Sequence, residues 1–240
     1  MFNLQKPFLK GLSHGLPICL GYFSVSFGFG ILSVNSGLKT IEAIIISLTN
    51  LTSAGQAAGV GIIAAGGTFI EMALTQLVIN LRYSLMGLSL SQKLSDKFTT
   101  PHRLIASYGI TDEIFAVAAS QTDKLVPSYM YGMISVSALG WVGGTAAGAL
   151  AGSALPSQIT AAMGILLYGM FIAIIVPAAR KCRKDLIVIL LAAVFSVAFK
   201  FLLPQVSFGF AIIISAVGAS VIGAILFPIN LAEETEEGTQ

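Results

Sequence analysis

Charge is what this chain of 240 residues has least of: 10% of its residues are Asp, Glu, Lys or Arg, against about 25% in a soluble domain. None at all occurs from Leu125 to Ala179, from Ala43 to Ile70, or from Phe201 to Ala232. Crossing roughly 30 Å of hydrocarbon takes about 20 apolar residues, so the first gap holds two spans and the others about one each. This excludes a soluble globular domain. Cysteine is scarce too. Cys19 falls in a span and Cys182 in a basic loop, which gives two free thiols and no disulfide or metal framework. Histidine is limited to His14 and His102, both outside or at the edge of spans, so no pair within a span could ligate haem. H-E-x-x-H, G-x-S-x-G and Walker patterns are missing, which argues against an intramembrane enzyme and against ATP hydrolysis. No cofactor, metal or nucleic-acid partner is expected. Alternating strands of about ten residues, as a membrane barrel requires, are not seen either.

What is present is apolar: 55% hydrophobic residues and a mean hydropathy of +0.88. The expected fold is all-α, a polytopic helical membrane protein with six full spans, near 15–35, 68–90, 128–152, 157–178, 186–203 and 207–228. Residues 1–232 form one transmembrane domain, and 233–240 a short acidic, solvated tail. Lys6 and Lys10 precede an apolar stretch from about Gly15 to Asn35, too long for a signal-peptide core and without a cleavage site, so it reads as the first span with Pro17 in its first turn.

Two further segments read as broken or re-entrant helices. Residues 41–66 carry Thr49-Asn50-Leu51-Thr52-Ser53-Ala54-Gly55-Gln56 in their middle, and 103–121 carry Tyr108-Gly109-Ile110-Thr111-Asp112-Glu113. Such backbone survives at membrane depth only inside protein or beside water. The positive-inside rule supports this reading. Basic residues cluster at Lys6 and Lys10, at Lys93-Lys97-Arg103, and at Arg180-Lys181-Arg183-Lys184. Eight simple spans would send the Lys93–Arg103 loop outside. If 41–66 and 103–121 each return to the side they entered from, all three clusters and both termini are cytoplasmic, with Lys39 a minor exception beside Glu42.

The span 68–90 carries charge where charge is costly. Arg82 cannot lose its proton, and a full charge near the bilayer centre costs at least about 2.5–3.5 kcal/mol on insertion scales. Glu71, Thr75 and Arg82 fall on one helix face, and Gln76 and Asn80 on another. Interfacial snorkelling is the alternative for Arg82 and the favoured reading for Glu71. The partners expected for Arg82 are Asp112 and Glu113. They follow the N-cap Thr111, so a helix beginning inside an apolar region directs its free amides at whatever lies before it. Secondary transporters hold charged substrate groups and coupling ions at such half-helix ends; a capped, ordinary helix start is the alternative. Gly140, Gly144, Gly148 and Gly152 form a four-residue ladder suited to close helix packing.

In order along the chain, Gly15-Leu16-Pro17 with Gly21-Tyr22 and Phe27-Gly28-Phe29-Gly30, Ser53-Ala54-Gly55-Gln56, Asn80-Leu81-Arg82-Tyr83 and Thr111-Asp112-Glu113-Ile114-Phe115-Ala116 resemble the AzlC family, the large subunit of bacterial branched-chain amino acid exporters. The resemblance covers nearly the whole chain. It departs at Ser24 and Ser26, where the family often has proline and glycine, and at Tyr83, where histidine is common. It implies export of leucine, isoleucine, valine and sometimes methionine across the bacterial inner membrane, driven by protons, with a small membrane partner of the AzlD type. On that basis Arg82, helped by Asn80 and the helix start at Thr111, holds the substrate carboxylate. Asp112 or Glu113 holds the α-ammonium group or carries the coupling proton. Ser53 and Gln56 line the cavity, and Tyr22 and Phe27 face the apolar side chain. Two alternatives stay open. One is a channel-like or assembly subunit in which Arg82 and Asp112 form a structural ion pair. The other is the permease of an ATP-driven importer, for which Glu42-Ala43 is too little of a coupling loop.

Overall fold

The structure is a computed structural model that describes residues 5–151, 169, 172, 175–176, 179–180 and 182–228. Most of the expected span 157–178 and all of the acidic tail lie outside the described residues, as does Gly152. The rest is helical, with one isolated bridge between Leu94 and Leu125. Helices satisfy every backbone donor and acceptor within the segment, which hydrocarbon demands. In chain order they are α1 (Gln5–Asn35), α2 (Thr40–Thr49), α3 (Ser53–Ala64), α4 (Phe69–Ser91), α5 (Thr100–Tyr108), α6 (Asp112–Ala119), α7 (Pro127–Ala151), α8 (Arg183–Leu202) and α9 (Phe208–Leu226). Among the described residues, α1, α7, α8 and α9 are long and apolar enough to cross a membrane. The helix α4, with Glu71, Asn80 and Arg82, has the length without the same apolarity. The first helix starts well before Gly15, so Pro17 lies inside it rather than in its first turn.

The chain divides into two compact units, Met1–Gly66 with Ile79–Met170, and Gly67–Val78 with Phe171–Gln240. The first unit is built on α1 and α7. A Cβ added at Gly140 would lie 2.8 Å from the Cys19 Cα, one at Gly144 would lie 2.9 Å from the Phe23 carbonyl carbon, and one at Gly148 would lie 2.9 Å from the Phe27 Cα. Gly11 and Gly15 of α1 meet α7 in the same way at Met133. Partner numbers rise together, so the helices run parallel, and the small-residue ladder is spent on an internal contact. Backbones this close leave no room for a side chain.

Both broken segments are helical hairpins against this pair. The segment α5–α6 enters and leaves at the starts of α1 and α7. At its beginning, His102 Nδ1 is 2.6 Å from the Tyr131 hydroxyl. At its end, the Lys93 ammonium donates to the carbonyls of Ala119 and Gln121. Its turn reaches Tyr22, far along α1. The α2–α3 hairpin enters from the opposite end. A left-handed Gly37 (φ 93°) turns the chain out of α1, and Leu38 and Val60 pack on Phe29. Its break, at Leu51, packs on Tyr22 and Trp141. The turns also touch, since the Tyr108 hydroxyl donates to the Leu48 carbonyl at 2.5 Å. The Lys93–Arg103 loop therefore lies at the same end of this unit as Lys6 and Lys10, the arrangement that two returning segments require.

In the second unit α8 and α9 form an antiparallel pair, with Gly218 against Phe195 and Gly223 against Val188. The first turn of α4 joins it through Glu71. This side chain is 3% exposed, and its Oε1 accepts the Gly209 amide at 2.6 Å. From its place near the end of the apolar span, Glu71 is expected at the interface. Instead it serves as the anionic cap of the α9 N-terminus, where amides without helical partners favour negative charge.

Candidate functional site

The breaks of both hairpins are made by the same local chemistry. Thr52 and Thr111 are extended N-caps whose hydroxyls accept the amides of Gly55 (3.3 Å) and Ile114 (3.4 Å). Each cap leaves the first amides of a half-helix directed toward the middle of the unit. Around α6 that space is charged. The Arg82 Nη2 lies 2.9 Å from the Asp112 Oδ2, and their side chains are 39% and 31% exposed. The Arg82 guanidinium also stacks over the Tyr83 ring, 5.0 Å from its centroid, and donates to the Tyr83 hydroxyl at 3.3 Å. Its Nε–H is buried and has no partner among the described residues. An arginine fork with Nε unused can still take a carboxylate.

From the other side, Tyr22 of α1 closes the cluster. Its hydroxyl donates to the Glu113 Oε2 at 2.6 Å and is hydrogen-bonded to the Thr111 Oγ1 at 2.5 Å. Asp112 and Glu113 thus share one helix turn but face different partners, a guanidinium and a phenol. A carboxylate bonded to a neutral phenol can gain or lose a proton without breaking an ion pair.

Around α3 the space is neutral and filled. Gln56 is 2% exposed. Its amide nitrogen donates to the carbonyls of Ile46 and Asn50, and its oxygen accepts the Trp141 Nε1–H at 3.1 Å. Trp141 in turn meets Tyr22 edge-on, with centroids 5.3 Å apart, and the Ser47 hydroxyl lies 2.7 Å from that of Thr145. Gln56 therefore holds the α2–α3 break closed against α7, and its polar atoms are committed to that task.

Of the residues expected from sequence, Arg82, Asp112, Glu113, Thr111 and Tyr22 come together. Gln56 stands one layer behind, through Trp141. Asn80 is two residues before Arg82 on α4, and Ser53 opens α3 beside the Thr52 cap. Trp141, Tyr83 and Tyr108 were missed. The first is the chain's one tryptophan, a signal in itself, since a buried indole N–H needs an acceptor.

A model of the AzlC protein family matches residues 17–155, which contain every residue of this cluster. The chain is 32% identical over 181 residues to an uncharacterized membrane protein of Archaeoglobus fulgidus, covering 74% of this chain and 79% of that one. It is 29% identical over 184 residues to the inner membrane protein YgaZ of Escherichia coli K12, covering 72% and 74%. An uncharacterized membrane protein of Helicobacter pylori is 27% identical over 157 residues, covering 64% and 68%. No solved structure matches the chain.

Proposed function

The chain belongs to the AzlC family of membrane proteins, and from that premise we propose that it is the large subunit of a secondary exporter for branched-chain amino acids. The carrying observation is the ion pair at the α5–α6 break. Arg82 and Asp112 stand 2.9 Å apart, both side chains partly exposed, with the buried guanidinium Nε–H unspent. An α-amino acid is itself a carboxylate and an ammonium on one carbon. It can exchange with this pair, its carboxylate going to Arg82 and its ammonium to Asp112, so that no charge is stranded. Burying either charge alone would be expensive. The half-helix start at Thr111 adds amide donors for the carboxylate.

Proton coupling fits Glu113 or Asp112. Release of Glu113 from the Tyr22 phenol, or of Asp112 from Arg82, gives a carboxylate that can be protonated in one state and bare in another. Selectivity rests on aromatic and apolar surface near Tyr22 and Phe27. One methylene there is worth about 1–3 kcal/mol, which supports a broad preference for leucine, isoleucine and valine over a sharp one. The transporter works with a small AzlD-type membrane subunit in the inner membrane, with Lys6, Lys10 and the Lys93–Arg103 loop in the cytoplasm.

The test is efflux of radiolabelled valine from loaded cells expressing this chain with its small membrane neighbour. Efflux should require the chain and should vanish in Arg82→Ala while the protein remains inserted. Undiminished efflux in that variant would return the Arg82–Asp112 pair to a structural role in an assembly subunit.

A further inference from the structure

We propose that a cavity at the starts of α1 and α7, away from the Arg82 cluster, binds a phosphate group carried by an anionic lipid headgroup or present as free phosphate. The cavity measures about 350 Å³ and is lined by Lys6 and Lys10 of α1, by Asp123 and Lys124 of the loop before α7, and by Leu125 and Tyr129 among others. This size suits a small ligand. Lys6 and Lys10 are one helical turn apart and so share a face of α1. Three lysines and one aspartate thus contribute to the cavity lining. No ion pair among the described residues involves these three lysines.

The fold prepares the cavity. Lys93 is not available to a ligand, because its ammonium braces the loop through the Ala119 and Gln121 carbonyls. Backbone pairing of Ser95 with Leu125 (2.9 Å) and of Leu125 with Lys93 (2.8 Å) holds that loop against α7. Lys10 lies 5.9 Å from the Tyr129 ring centroid, and the Tyr129 hydroxyl is fixed by the His14 Nδ1 at 2.9 Å. The lining is therefore part apolar and aromatic and part cationic. A phosphodiester with attached glycerol and acyl chains has the matching polarity, and basic pockets at the cytoplasmic ends of membrane helices take such groups. The inference does not depend on which substrate the exporter moves.

The test is thermal unfolding of the purified full chain in neutral detergent. It is titrated separately with short-chain phosphatidylglycerol, with phosphatidylcholine of the same chains, and with inorganic phosphate. Phosphatidylglycerol should raise Tm saturably. The double variant Lys10→Gln with Lys124→Gln should need roughly 25-fold more lipid, about fivefold for each lysine, while Lys97→Gln, outside the cavity, should titrate as the wild type. Should the double variant unfold, the exposed Lys124→Gln alone should show the fivefold loss and Lys124→Arg should restore it. Saturation by phosphatidylglycerol but not by phosphate assigns the site to a lipid headgroup, and saturation by both assigns it to phosphate itself. Equal stabilisation by phosphatidylcholine, no stabilisation by either anionic probe, or an unchanged titration in the lysine variants would each overturn the proposal.

Discussion

The two broken hairpins use one backbone device for opposite chemical ends. Each has a helix, a short extended break and a threonine-capped half-helix, and the breaks meet beside Tyr22 and Trp141. At α2–α3 every polar atom of Gln56 is committed, the side chain is buried, and no charge is present. At α5–α6 a guanidinium and two carboxylates are held by few bonds, and the ion pair is more than a quarter exposed on both sides. Saturated neutral hydrogen bonds fix a break in one shape. A charged break with an unspent donor is costly unless a ligand or water completes it. The first hairpin thus has the character of a scaffold, and the second is the one to which the proposed function gives the substrate.

Four substitutions test that contrast, in falling order of effect on transport. Arg82→Ala should lower the initial rate of valine efflux by about 100-fold, the loss expected when one partner of a hydrogen-bonded charge pair is removed. Asp112→Asn should cost about tenfold, as for a lost charge-assisted bond. It should also flatten the response of efflux to an imposed pH gradient in proteoliposomes; a retained response would move coupling to Glu113. Tyr22→Phe removes the phenol from Glu113 and Thr111 and should slow counterflow about threefold to tenfold. Gln56→Leu should leave transport within about twofold. It should lower the apparent unfolding stability by about 1–3 kcal/mol, because the Trp141 N–H is left unsatisfied. A large transport defect in Gln56→Leu with normal stability would erase the distinction between the hairpins.

Much of this contrast is legible in the sequence because it is local. Polar and small residues interrupting an apolar run mark both breaks, and Thr111 followed by two acids is a helix start by its own chemistry. The charge gaps set the helical membrane class, and the lysine clusters required returning segments, consistent with the Lys93–Arg103 loop at the α1 start. What stayed hidden depends on partners distant in sequence. The burial of Glu71 is decided by Gly209, and nothing near residue 71 announces it. The hydrogen bond of Gln56 to Trp141 joins residues far apart in the chain, and nothing near residue 56 announces it. The ladder Gly140, Gly144 and Gly148 is evident as a pattern, but only α1 reveals that the contact is internal and parallel. The α1 start at Gln5 was missed because lysines among apolar residues resemble a loop, although a helix accommodates them at its aqueous end.

The most direct test exchanges the charges in one protein, Arg82→Asp together with Asp112→Arg, and measures radiolabelled valine efflux against the wild type at equal membrane abundance. If Arg82 meets the substrate carboxylate, the exchanged pair restores the electrostatics of the fold but presents the wrong charge to each end of the amino acid, and efflux should stay at the Arg82→Ala level. Recovery of efflux toward wild type would show that pairing alone suffices, and would contradict the assignment of the α5–α6 break as the substrate site.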